Sequence, residues 1–197
     1  VGAEVFKARY GEATNDVYAW SEYTWQGRSP PGMDNFAPQL GSSRKLYTYD
    51  DRIQNVVYRQ GTLWATHSIY LPEVGTPTRC AVQWWMLTPG GQVWEQGRVD
   101  NTNNTQFFAY PSIAVNQNLD LLLGYSRFSA SQYPSANYAF SAGQDPAGSH
   151  RGDVVYKAGE HSFDVTNRLG YNLWGQSSVA TVDPLNDVDM WTLQQYA

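Results

Sequence analysis

Charge is scarce in this chain of 197 residues: Asp, Glu, Lys and Arg make up 16% of it, against about a quarter in ordinary soluble domains. The balance is acidic, at −5, and no run of Lys or Arg occurs. That excludes a grip on the phosphate backbone of nucleic acid, which needs clustered cations. Cysteine occurs once, at Cys80, so no internal disulfide framework can form. The thiol lies in a strand-like run, Arg79 to Trp85, which suits a buried, inert group. Long apolar runs are missing as well, and a membrane-spanning helix would need about 18 such residues. Helical periodicity is absent, and 17 Gly with 10 Pro interrupt the chain too often for long helices. Val1 follows no charged and apolar leader, which reads as a processed mature chain or a fragment.

Aromatic residues are abundant instead, at 15%, with 8 Trp and 14 Tyr. Tyr, Trp, Val and Thr fit pleated, half-buried strands. The composition predicts an all-β protein, and its low charge with many Asn, Gln, Ser and Gly suits a secreted or extracellular one, periplasm or cell surface included.

Four segments resemble one another: Asn15 to Ser21, Gly61 to His67, Leu119 to Tyr125 and Asn186 to Thr192. Each opens with a turn pair and continues as an apolar or aromatic strand. Aligned on Asp16, Thr62, Asp120 and Asp187, they lie 46, 58 and 67 residues apart. A weak repeat of that period in a β-rich chain predicts β-propeller blades of four-stranded antiparallel sheets, about three to four of them here. Strands are expected over 4–9, 17–23, 45–49, 55–59, 63–69, 79–88, 93–99, 112–115, 121–126, 136–141, 153–157, 178–182 and 188–196. The array divides into a partial blade at 1–50, blades at 51–105 and 106–171, and a partial blade at 172–197. Since a propeller protects its edges by closing, a further segment or another chain is expected to complete the ring. Long irregular loops over 24–43, 144–152 and 159–172 are where function would concentrate.

The run Tyr110 to Asn116 with Asp120 to Tyr125 is similar to an inner strand pair of bacterial secreted propellers of the sialidase-like (BNR-type) superfamily. Asn172-Leu173-Trp174-Gly175, with Val182-Asp183-Pro184 and Trp191, resembles the closing region of its uncharacterised members. Gln176 and Ser177 stand where those members carry Asp and Tyr. A sialidase Asp-box is half present in Gly91-Gln92-Val93-Trp94, with Pro89 at the Asp position. The resemblance implies a propeller and, as one alternative, a glycoside hydrolase. The arginine triad and the Tyr/Glu pair of true sialidases have no assigned positions.

By analogy with propellers, ligands would bind where loops enter first strands and leave second strands. That selects Glu22 and Asp51 as an acid/base pair for glycoside hydrolysis. It also selects Tyr23, Arg52, His67, Tyr110, Arg127 and Trp174 as ligand-binding residues, with rings to stack on a pyranose and polar groups for its hydroxyls. The alternative is that Asp51–Arg52 is a loop ion pair and the aromatics pack between blades. Trp84 and Trp85 point to opposite faces of one strand, so at least one is expected between blades. Asp183, Asp187 and Asp189 could form an oxygen-rich cluster, yet the match of Asp187 to Asp16 and Asp120 favours turn capping. His67, His150 and His161 lack metal-ligand spacing, so neither metal nor cofactor is expected. Arg151-Gly152-Asp153 is read as a coincidental adhesion tripeptide. The favoured function is a noncatalytic extracellular propeller for binding or assembly, with carbohydrate as the candidate ligand. The alternatives are a sialidase-like hydrolase and a structural subunit whose open blade pairs with another chain.

Overall fold

The computed structural model describes residues 36–48, 51–72, 76–175 and 178–197. The strands expected over 4–9 and 17–23 lie outside them. Among the described residues the protein is all-β: β1 (Ala37–Gln39), β2 (Ser42–Leu46), β3 (Asn55–Arg59), β4 (Thr62–Leu71), β5 (Arg79–Leu87), β6 (Val93–Val99), β7 (Phe107–Val115), β8 (Leu121–Ser129), β9 (Gln132–Ser141), β10 (Asp153–Lys157), β11 (Val179–Val182) and β12 (Met190–Leu193). They form four antiparallel sheets: β1–β2, β3–β4–β5–β6, β7–β8–β9–β10 and β11–β12. β3, β6 and β10 match the expected strands. β7 begins five residues earlier than expected, at Phe107 rather than 112, because it continues through a bulge. The segment expected to be irregular over 24–43 contains β1 and the start of β2.

The three sheets from β3 onward stack face to face, always in the same sense. In β4 the even-numbered side chain of Trp64 joins Val82, Trp84 and Val99 against Phe108, Ile113, Val115, Leu121, Leu123 and Tyr125 of the next sheet. The opposite face of that next sheet places Ala114, Leu122 and Tyr138 against Ala180, Val182 and Met190. Strand alternation produces this directly, since successive side chains point to opposite faces. Aligned on the repeat, Thr66, Gly124 and Trp191 are equivalent positions, each on its sheet's leading face. A bulge keeps β7 in step: the three-residue advance from Ala109 to Ser112 opposes the two residues from Ser126 to Gly124. One extra residue, with Tyr110 at φ 57, lets Phe108 and Ile113 share a face.

Gly124 shows how close the stacking is. A Cβ there would lie 2.0 Å from the Thr192 hydroxyl and 2.4 Å from Gln194 Nε2. Only the bare backbone admits the following sheet.

At one end of the stack the equivalent turns meet. Arg59 Nε donates to the Asn116 carbonyl at 3.2 Å, and Gln60 Nε2 donates to the Gln117 carbonyl at 2.5 Å. The Gln117 amide donates in turn to the Asp187 carbonyl at 3.0 Å, and Asn116 Nδ2 donates to that of Val188, also at 3.0 Å. Arg59 also pairs with the Asp187 carboxylate. At the other end the β1–β2 hairpin closes over the strand termini. Phe36, Ala37 and Leu46 pack with Tyr70, Cys80, Phe107, Ala109, Tyr110, Phe128 and Trp174. Burial pushes the Cys80 thiol up to about 12, which leaves it protonated and inert.

Candidate functional site

The expected ligand face coincides with the end that the β1–β2 hairpin covers. His67 is fully buried on the face of β4 that points away from β7. The Trp85 indole donates to its Nε2 at 2.9 Å, so the imidazole proton sits on Nδ1, 2.8 Å from the Asp51 carbonyl that accepts it. Desolvation holds the imidazole neutral, with its pKa lowered from 6.5 to about 4. Asp51 therefore meets His67 through its backbone, and its side chain is buried, whereas Arg52 is exposed. Tyr110 is buried, gives its hydroxyl hydrogen to the Tyr47 carbonyl and accepts from Ser178 Oγ at 2.8 Å through its own carbonyl. Trp174, also buried, packs edge-on against Phe128 and Phe163 and donates Nε1 to Ser126 Oγ at 2.9 Å. Glu22 and Tyr23 lie outside the described residues.

The structure thus brings Tyr110 and Trp174 into one cluster and places His67 with Asp51 on another face. Arg127 belongs to a third group. Its guanidinium pairs with the Asp153 carboxylate and donates to Gln132 Oε1 at 2.7 Å. Asp153 also accepts from Tyr125 and Asn137, each at 2.7 Å. Burial and the neighbouring carboxylate raise the Tyr125 pKa, so this phenol stays a donor. The adhesion-type tripeptide is absorbed in the same way: Asp153 faces that network, and Arg151 grips Asp145 with bonds of 2.8 and 2.9 Å.

The aspartates near β12 build a turn. Asp183 Oδ1 accepts from the Leu185 amide at 2.9 Å, the Asp187 amide donates to the Asp183 carbonyl, and Asn186 Nδ2 reaches Asp189 at 2.7 Å. Among the described residues no cluster of three His, Cys, Asp or Glu side chains could hold a metal ion, and no helix is long and apolar enough to cross a membrane.

Clefts open on the surface of the described residues, and two of them stand out for their lining. One of about 390 Å³ lies between β2 and the segment that returns beside it, lined by Ser43, Arg44, Lys45, Thr166, Gly170 and Asn172. The other, of about 210 Å³, opens between the two four-stranded sheets at the turn end. Its walls include Trp64, Trp84, Met86 and Glu95 from the first sheet, with Leu121 and Asp145 opposite. The two indoles stack, with centroids 5.8 Å apart and planes inclined by 21°. Glu95 accepts from the Gly148 amide at 2.8 Å, which ties the β9–β10 connection across the cleft mouth. Arg151 holds the Asp145 carboxyl below its usual range, so it remains ionised. Sequence reasoning missed Glu95 and Asp145. Their signal is faint: Glu95 alternates with exposed Trp94 on an edge strand, and Asp145 sits in a Gly- and Pro-bearing connection.

No family model, curated protein or solved structure matches this chain.

Proposed function

We propose that this chain is an extracellular β-propeller unit of the sialidase-like type, acting as a noncatalytic binding and assembly module with carbohydrate ligands. The meeting of the three repeat-equivalent turns carries this reading. A propeller sets corresponding turns of successive blades side by side around one axis, and the bonds joining Arg59, Gln60, Asn116, Gln117 and Asp187 have that pattern. The uniform sense of sheet stacking supports the same architecture. Structural use of the candidate chemical groups supports binding over turnover. His67 is held neutral between Trp85 and Asp51, and Arg127 is committed to Asp153. Low charge and abundant aromatics favour an extracellular setting.

The assembly part rests on β11–β12. Its outward face carries Val179, Thr181, Trp191 and Leu193, with Trp191 61% and Leu193 71% exposed. By repeat position this is the face that the two preceding sheets bury. Its partner is a β-sheet of another chain that continues the stack and closes the ring.

Glycan-array binding joined to a fluorogenic glycoside screen tests the ligand half. Binding without turnover is expected, and turnover abolished by Asp51→Asn would overturn it. Light scattering over a concentration series tests assembly. Association weakened by Trp191→Asp is expected; a wild-type chain that stays monomeric alone and in its native extract would refute it.

A further inference from the structure

The cleft of about 390 Å³ beside β2 gathers cations that no carboxylate answers among the described residues. Elsewhere Arg59, Arg79, Arg127, Arg151 and Lys157 each pair with an aspartate or glutamate. Arg44 and Lys45 are exposed, line the cleft and pair with none of the described acids. The contrast stands out in a chain whose net charge is −5. The Arg44 guanidinium spans the opening, with Nη1 donating to Thr166 Oγ1 on the facing wall at 3.5 Å. Asp164 is the acid nearest that wall in the sequence. It accepts from Ser42 Oγ at 2.7 Å and from Ser162 Oγ at 3.2 Å, and it does not line the cleft.

Both walls are fixed in advance. Gln39 Nε2 donates to the Phe163 carbonyl at 2.8 Å, and the Phe163 amide donates back to Gln39 Oε1 at 2.7 Å. Asn167 Oδ1 accepts from the amides of Leu169 and Tyr171 at 2.9 and 3.0 Å. The Gly170 amide closes the same turn on the Asn167 carbonyl at 3.0 Å. Just past β2, the Tyr47 amide donates to the Asn172 carbonyl at 3.0 Å and ties the two walls together. A ligand therefore has little backbone left to order, which lowers the cost of binding.

The lining selects the occupant. Ser43, Thr166 and Asn172 are polar, and no apolar residue besides Gly170 lines the cleft, so a hydrocarbon surface has nothing to pack on. An ammonium or metal cation meets Arg44 and Lys45. A wholly neutral sugar leaves both charges unanswered. A carboxylate or sulfate accepts charge-assisted bonds from the guanidinium fork and the ammonium, and hydroxyls beside it reach Ser43 and Thr166. The volume falls in the range of about 300–1,000 Å³ usual for small-molecule sites.

We infer that this cleft binds an anionic sugar residue, with Arg44 and Lys45 on its carboxylate or sulfate group. The inference rests on the binding reading above and names the ligand class and the place. It does not depend on ring closure.

The test is a titration of ¹⁵N-labelled protein, read at the Thr166 and Gly170 amide signals. Trigalacturonate and a sulfated heparin disaccharide separate the two sources of charge, with maltotriose and inorganic sulfate for comparison. At least one acidic sugar is expected to shift both signals saturably and to bind more weakly as salt is raised. Maltotriose should leave them in place, and inorganic sulfate should bind less tightly than the acidic sugar. Arg44→Gln combined with Lys45→Gln is expected to weaken binding about tenfold or more, the loss of charged hydrogen bonds. Thr166→Glu, which sets a carboxylate opposite Arg44, should abolish it. All three side chains are exposed, so the melting temperature of both variants is expected to hold. No saturable shift from either acidic sugar, inorganic sulfate binding as tightly, or binding undiminished in both variants would overturn the inference. Neutral glycans bound on the array while both acidic sugars fail here refute this cleft alone, and silence in both experiments refutes the wider reading with it.

Discussion

The sheets β7–β10 and β11–β12 come from the same repeat but meet different surroundings. The first is covered on both faces, by β3–β6 on one side and β11–β12 on the other. Among the described residues the second is covered on one face only. At the equivalent position the covered sheet carries Gly124 and the open one Trp191. A face that must admit another sheet at close range excludes even a methyl group. A face with no neighbour among the described residues instead presents a large aromatic ring, suited to anchoring a partner. What the repeat transmits is strand position and turn geometry, whereas side-chain size follows the neighbour.

That contrast can be broken most severely at Gly124. Gly124→Val pushes branched carbons into Thr192 and Gln194, and overpacking of this kind costs about 3 kcal/mol. Urea unfolding is expected to show that loss, whereas Trp191→Val at the equivalent open position should cost below about 0.5 kcal/mol. Next comes Arg127→Ala, which leaves the largely buried Asp153 carboxylate without its cation. A loss of about 2–3 kcal/mol is expected from breaking such a pair, and Asp153→Asn with Arg127→Gln should recover part of it.

A smaller effect comes from pH at the covered face behind β4. His67 titrates near 4 in the folded protein and near its ordinary 6.5 when unfolded. Its contribution is therefore complete above 6.5 and declines as pH falls toward 4, because the unfolded chain binds the proton first. The slope is about 1.4 kcal/mol per pH unit within that window. Unfolding at pH 5.5 and 6.5 should differ by about 1 kcal/mol in the wild type, and His67→Gln should flatten the difference. The smallest effect on stability is at the open face: Trp191→Asp should change it by under about 0.5 kcal/mol while removing concentration-dependent association.

Strand order was legible because alternation and glycine-bearing turns are local signals. Residues 55–59 and 93–99 show it: both strands lie beside hairpins and alternate strictly. The bulge at Tyr110–Pro111 was not legible, since the residues that require it, Phe108 and Ile113, meet their neighbours only across sheets. For the same reason a strand-end location for His67, Tyr110 and Trp174 suggested ligand contact. Nothing local in 36–46 reveals that β1 and β2 fold over that end. Trp84 and Trp85 were readable as opposed indoles, and Trp84 does lie between two sheets. Its unpaired Nε1 was not readable, because it depends on Gly97 and on a connection more than fifty residues away.

The account turns on a stack that, among the described residues, is sealed inside and open at β11–β12, and solvent paramagnetic relaxation of the indole N–H signals measures that directly. A soluble gadolinium agent should bleach Trp191 and Trp94 and leave Trp84 and Trp174 sharp, in keeping with 61% and 62% exposure against 1% for each of the buried pair. Protection of Trp191 equal to that of Trp84 in a monomeric sample would contradict the open face and, with it, the proposed assembly.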